Sequence, residues 1–369
     1  MKVCIIANDG SGLIRFRNEL VRFLLNQKYE VHLLLPIGDY ISSLVNEGCL
    51  FHETQIERHG TNPISDIKLM CLYKKRLKEI KPDVVLTYTI KPNVYGGMVC
   101  SLLHIPYIVN VTGLGTAVQN TGLFQNFVLE LYHLGIKNAN KIFFQNKENM
   151  LFFIGHQIVN NHIQLIPGSG INLSENCFEA YPEKTDRLKV LFVGRIMRDK
   201  GINELFEAAR QIKSRYDNIV FDVVGPCEDD FENKQELEKL NEQEIIHYWG
   251  RQDNIHEMMK NHHVLILPTY HEGMSNVLLE ASACGRPVLA SNIPGCKETF
   301  IEGVSGYGFE PKNVEDLVCK IEKFIQLPYE QKAEMGKAAR KHVEDHFDRQ
   351  IVVDAYMKEI KEIEMRIQQ

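Results

Sequence analysis

No stretch of this sequence stays apolar for anything near the roughly 18 residues of a membrane-crossing helix, so no segment reads as a span. The opening MKVCIIAND carries only a short apolar run before Asn8 and Asp9 and reads as a buried strand rather than a signal peptide. Nine cysteines are scattered, odd in number and never spaced C-x-x-C. That argues against a disulfide framework or a zinc module and for reduced thiols in a cytoplasmic protein. Neither glycine loop spells G-x-G-x-x-G; NDGSGLIRF offers only G-x-G, a weak basis for a nicotinamide-dependent dehydrogenase. Histidines such as His262, His263 and His271 show no metal-ligand spacing.

What is present fits a soluble globular chain. Its 369 residues exceed one typical core and suggest two domains, and 44% hydrophobic residues supply enough apolar side chains for both. The net charge of −6 is uneven: the first 184 residues sum to +2 and the remainder to −8. The basic excess gathers in stretches such as Lys68 to Lys81, which could attract anionic lipid or a phosphorylated substrate. An acidic balance overall makes nucleic acid the weakest candidate partner.

Two segments repeat one pattern. KVCIIANDGSG from Lys2 and KVLFVGRIMRDKG from Lys189 each give an unbroken apolar strand, a polar glycine-containing loop and a helix. Strand and helix then alternate through both halves, which predicts doubly wound parallel sheets with ligands at the carboxyl ends of their strands. The polar stretch Gly168 to Asp186 marks the junction. The expected division is an α/β domain over 1–180, a second over 181–345 and a closing helix over 346–369.

In the second half, Arg195 ends a strand and Lys200 precedes a helix, with Gly194 and Gly201 permitting tight turns. Fixed cations and helix-terminal N–H groups suit a diphosphate. Alone, such a pair is more often an ordinary solvated surface. Further on, HEGMSNVLLEASACGRPVLAS places Glu272 in a loop after a strand and Glu280 about one turn inside a helix. Ser275 or Asn276 caps that helix, and Val277, Leu278, Ala281 and Cys284 form its apolar stripe. The carboxylates could simply complement the helix dipole and solvent. Beside a cationic pocket they suit a ligand rich in hydroxyls.

E-x7-E after a strand, preceded by G-R-x4-K-G and followed by G-x-P-V, resembles the family 4 glycosyltransferases of the GT-B fold, and the likeness covers essentially the whole chain. It implies two Rossmann-like α/β domains facing a cleft, with the last helix crossing back to the first domain. It also implies that Arg195 and Lys200 bind the donor diphosphate, Glu280 the nucleotide ribose, and that Glu272 faces the donor sugar. Backbone groups at Gly273, Met274, Ser275, Asn276, Val277 and Leu278 would approach sugar and phosphates, while Gly250 and Arg251 match the segment that contacts the base. Gly12 lies in the matching loop, Gly10 to Gly12, that closes over the donor. Glu272, Arg195 and Lys200 are then the expected catalytic set.

Within the family, TIKPNVYGG and VTGLGT resemble bacterial enzymes that extend polyprenyl-diphosphate-linked or cell-surface glycans, including the PglA-type N-acetylgalactosaminyltransferases. Many relatives carry a histidine at this strand end, on or near Thr112. Thr112, Gly113 and Lys91 are therefore acceptor-side candidates without an assigned role.

The resemblance implies a retaining hexosyl or N-acetylhexosaminyl transfer from a nucleotide sugar, with UDP the expected carrier and GDP the alternative. No D-x-D signature is present, so protein cations would serve in place of a metal and no cofactor is expected. A nucleotide-sugar 2-epimerase, a sugar phosphorylase and a non-catalytic nucleotide-sugar-binding protein share the architecture, but E-x7-E with both cations favours transfer. A lipid-linked acceptor would need membrane contact. The helices at Arg15 to Lys28, Lys68 to Lys81 and Thr121 to Leu134, with Leu123 or Phe124 exposed, could supply it at the cytoplasmic membrane. Equally, helices that cover a sheet are amphipathic for that reason alone.

Overall fold

The computed structural model describes residues 1–54, 63–113, 123–159, 161–228 and 231–369. They form two units: Met1–Gly170 with Arg349–Gln369, and Ile171–Asp348.

The first unit contains β1 (Lys2–Ile6), β2 (Glu30–Leu35), β3 (Leu50–Glu53), β4 (Val84–Tyr88), β5 (Tyr107–Val111), β6 (Lys141–Phe144) and β7 (Ile163–Leu165). They pair in parallel in the order β3-β2-β1-β4-β5-β6-β7. The unbroken apolar run of β1 follows from burial on both faces. Val3 and Ile5 enter one core with Leu20, Leu24 and Tyr356, whereas Cys4 and Ile6 enter another with Tyr73, Leu77 and Tyr132. Chain order reverses between β1 and β4, the position at which open α/β sheets bind ligands.

The second unit contains β8 (Leu188–Val193), β9 (Ile219–Val224), β10 (His247–Tyr248), β11 (Val264–Leu267), β12 (Val288–Ser291) and β13 (Gly306–Phe309), in the order β10-β9-β8-β11-β12-β13. Its reversal lies between β8 and β11.

The units divide at 170 and 348 rather than at the expected 180 and 345. Residues after Gly170 belong to the second unit because the side chain of Arg286, only 1% exposed, ties them there. It donates to the carbonyls of Glu179 and Ala180 as well as those of Met259 and Lys260. At the other end, a helix over Tyr329–His346 stops before the last helix, Arg349–Gln368, begins. That last helix turns Val352, Val353, Tyr356, Met357, Ile360 and Ile363 into the core of the first unit. Each such burial contributes about 1.5–3 kcal/mol before entropy is counted, which explains why the helix belongs to that unit.

Candidate active site

In the second unit the β8/β11 reversal point brings Lys200 and Glu272 together. Lys200 ends a short turn, Arg198–Lys200, and Gly201 follows at φ +67°. A Cβ at Gly201 would stand 1.9 Å from the carbonyl oxygen of Pro268, so glycine alone lets this turn lie against the end of β11. Asp199 seals the contact, its carbonyl accepting from Tyr270 N at 2.9 Å and Thr269 Oγ1 at 3.3 Å. Lys200 Nζ consequently reaches Glu272 Oε1 at 2.6 Å, across 72 residues of chain. Both side chains are largely shielded, at 20% and 16% exposure.

Gly295, at φ +82°, supports the Glu272 loop from behind: a Cβ there would meet the carbonyls of Glu272 and Gly273 at 2.8 and 2.7 Å. Its own carbonyl accepts from Ser275 N at 2.8 Å. The helix Asn276–Ala283 starts here, with Ser275 at its cap position. Ser275 Oγ makes no cap bond, and it is buried without a partner. Leu278 is fully buried, so only its backbone can face a ligand, and Met274 is nearly so; Val277 is partly buried. Glu280 lies one turn into the helix and is half-buried.

Arg195 follows β8 and is exposed, with Nη1 2.5 Å from Glu228 Oε1. At 59% exposure this pair adds little stability and can exchange its partner. Gly250, at φ +62°, follows edge strand β10 and accepts from Gly225 N; Arg251 beside it is exposed. Both sit at the same carboxyl edge, with β9 and β8 between them and β11. Asp222 anchors this corner, accepting from Trp249 Nε1 at 2.7 Å and lying 2.7 Å from His262 Nε2. Burial works against its charge, but the bonds from His262 and Trp249 outweigh that and hold its carboxyl below the usual range.

In the first unit, Lys91 Nζ lies 2.9 Å from Asp66 Oδ1, and Tyr95 donates to the other oxygen at 2.7 Å. TIKPNVYGG holds Thr89 at φ +71° and a π-helical turn over Pro92–Gly96. Both features are uncommon and concentrate at functional sites. Thr112 and Gly113 follow β5; residues 114–116 of VTGLGT lie outside the described residues, as do the side chains of Leu123 and Phe124. Gly12 lies in the first turn of the helix Ser11–Asn26, where a Cβ would meet nothing within 4 Å. Its neighbour Gly10 is the constrained one, against the ring of Tyr40.

Sequence reading missed Glu228, Gly295 and Asp222. Pro294–Gly295 is a turn signal and marks the second. Nothing in the chain connects Glu228 to Arg195, and Asp222 sits in a strand run as any core residue would. No described helix is long and apolar enough to cross a membrane, and the described residues hold no cluster of three or more histidine, cysteine or acidic side chains able to hold a metal.

Comparison with known proteins agrees with this fold. Residues 174–342 match the family of glycosyl transferases group 1, and residues 2–146 match the glycosyl transferase 4-like family. The N,N'-diacetylbacillosaminyl-diphospho-undecaprenol alpha-1,3-N-acetylgalactosaminyltransferase of Campylobacter jejuni is 28% identical, over 97% of this chain and 98% of its own. The capsular polysaccharide biosynthesis glycosyltransferase CapM of Staphylococcus aureus is 27% identical over 90% of each. Among solved structures, HepE of Anabaena, in complex with UDP and glucose, aligns with a TM-score of 0.76 at 16% identity, covering 98% of this chain and 99% of that one. The chain belongs to the family-4-like glycosyltransferases of the GT-B fold.

Proposed function

We propose that the enzyme transfers a hexose or N-acetylhexosamine, with retention of configuration, from a UDP-linked donor to a glycan or polyprenyl-diphosphate-linked acceptor. The observation that carries this reading is the Lys200–Glu272 pair, a shielded cation and carboxylate at the reversal point of the second sheet. The relatives' names support the class of acceptor, and the UDP complex of a structural neighbour supports the carrier.

In this reading, Arg195 and Lys200 take the diphosphate, and the N–H groups at the start of Asn276–Ala283 add the positive end of a helix dipole. Cleavage of the bond from anomeric carbon to phosphate oxygen builds negative charge on that oxygen, where these groups stabilise it. The acceptor hydroxyl attacks from the same face, and its proton passes to the departing phosphate. Glu272 accepts from sugar hydroxyls and holds the ring, while Glu280 accepts from the ribose diol. Gly250 and Arg251 border the base. Because protein cations carry the charge, transfer should proceed unchanged in a chelator.

A peripheral membrane contact fits a lipid-linked acceptor. The helix Pro63–Ile80 presents Ile64, Ile67, Lys68, Lys74, Lys75 and Lys78 to solvent along one face, a mixture suited to an anionic bilayer surface. Calorimetric titration with UDP, GDP and NAD tests the donor reading. UDP should bind, and Glu280→Ala should weaken it sharply; GDP preference would change the carrier, and binding of NAD alone would overturn the reading.

A further inference from the structure

Arg17 is a buried cation without a counter-charge. Its side chain belongs to a residue 4% exposed, and it forms no salt bridge among the described residues. Nη1 donates to the carbonyl of the adjacent Phe16 at 3.0 Å, and Nε is buried with no partner. The nearby carboxylates are committed elsewhere. Glu19 is bidentate on Arg349 Nη1 at 2.6 and 2.7 Å, and Asp9 takes both the N–H and hydroxyl of Ser11. The neighbouring phenols supply no anion either, since burial raises Tyr88 and Tyr356 above their ordinary range and keeps both neutral.

A buried charge without a counter-charge is unfavourable, and the Phe16 carbonyl and the Tyr88 ring offset that burial only in part. Its surroundings indicate what would provide the rest. The guanidinium lies 5.3 Å from the ring centre of Tyr88, the last residue of β4, at the β1/β4 reversal point. Tyr356 accepts from Asn110 Nδ2 at 2.8 Å, and its hydroxyl interacts with that of Tyr88. A planar, permanently charged donor beside phenolic O–H groups is the chemistry of an oxyanion site.

We propose that Arg17 is the centre of an oxyanion site in the first unit, and that it takes a phosphate of a diphosphate-bearing acceptor. This rests on the acceptor reading above and adds the residue that recognises the acceptor's charge. The phosphate could belong to a lipid carrier or to a free phosphoryl group, and the probes below separate these.

The test uses the full chain with UDP held at saturation, so that the donor site is occupied. Farnesyl diphosphate, farnesol and inorganic pyrophosphate are titrated into wild type, Arg17→Gln and Arg17→Lys, with thermal stability measured in parallel. Farnesyl diphosphate should bind wild type and lose about 10- to 100-fold in affinity with Arg17→Gln, the worth of a charged hydrogen-bonding group. UDP affinity should stay unchanged. Arg17→Lys keeps the charge but loses the planar fork, so it should fall between the two; it carries the test if Arg17→Gln does not fold. Pyrophosphate losing affinity in parallel identifies a phosphate reader, whereas an effect confined to farnesyl diphosphate adds a role for the chain; both support the site. Equal affinity in wild type and variants, no binding by wild type, or equal loss for farnesol would overturn it. Failure of UDP to bind would instead strike the donor reading.

Discussion

Replacing Gly201 with alanine tests whether the turn holding Lys200 is built as described. Alanine at φ +67° costs about 1–2 kcal/mol in backbone conformation alone. Its Cβ would also stand 1.9 Å from the Pro268 carbonyl oxygen, well inside contact distance, so the turn must retreat from β11. Retreat loosens the bonds from Tyr270 N and Thr269 Oγ1 to Asp199, each worth about 1 kcal/mol. Together these give about 3 kcal/mol, or a fall of about 6–12 °C in the melting temperature of a unit this size. Trp249, the only tryptophan in the sequence, lies in the second unit with its indole N–H on Asp222, so its fluorescence reports that unit's transition. Calorimetry with UDP then reads the site, where a displaced Lys200 should weaken binding about tenfold or more. Gly12→Ala is the stability control: a Cβ there meets nothing within 4 Å in a helix's first turn, so stability should hold or rise by about 0.5–1 kcal/mol. A wild-type melting temperature in Gly201→Ala would refute the packing argument. A lowered one with unchanged UDP affinity would refute the role of Lys200.

Glu272→Gln keeps the loop's shape and removes the charge facing Lys200, so the protein should remain folded while turnover drops about 100-fold; full activity would remove Glu272 from the chemistry. His263 gives a pH signature: burial, followed by the charges of His262 and Lys189, lowers its pKa from 6.5 to about 4. Its Nδ1 accepts from Lys189 N at 3.0 Å, which requires the unprotonated nitrogen. The unfolded chain therefore binds the extra proton first, so the stabilisation is complete above pH 6.5 and is lost as pH falls toward 4. Denaturant melts followed at Trp249 should show that loss, and His263→Asn should flatten the dependence over this window.

The sheets were legible because parallel strands covered on both faces spell unbroken apolar runs, as VCII and VLFV do. The positions of Arg195, Lys200 and Glu272 after strand ends were legible because each follows an apolar strand run in sequence. Their partners were not, since those are set by which strands adjoin: Lys200 meets Glu272 across 72 residues, and Arg195 meets Glu228 across 33. One glycine serves packing rather than a turn: a Cβ at Gly97 would meet the Gly135 carbonyl at 2.1 Å, so the residue permits close approach of two helices.

Charge was misleading in one place, although a local signal existed. Arg15 and Arg17 sit two residues apart in the first helix, and treating both as part of a basic, amphipathic surface made them equivalent. The helical period separates them. Leu13, Leu20, Val21 and Leu24 form the inward stripe, and position 17 falls on it while position 15 faces solvent. A charge on an apolar stripe must find a partner, expose itself by distorting the helix, or wait for a ligand. At Arg17 the helix runs from Ser11 to Asn26, and the described partners are the Phe16 carbonyl and the Tyr88 ring, neither of them an anion, so the counter-charge is what a ligand would add. The useful sequence signal was therefore the single residue that broke the helix's pattern, more than the basic character of the segment as a whole.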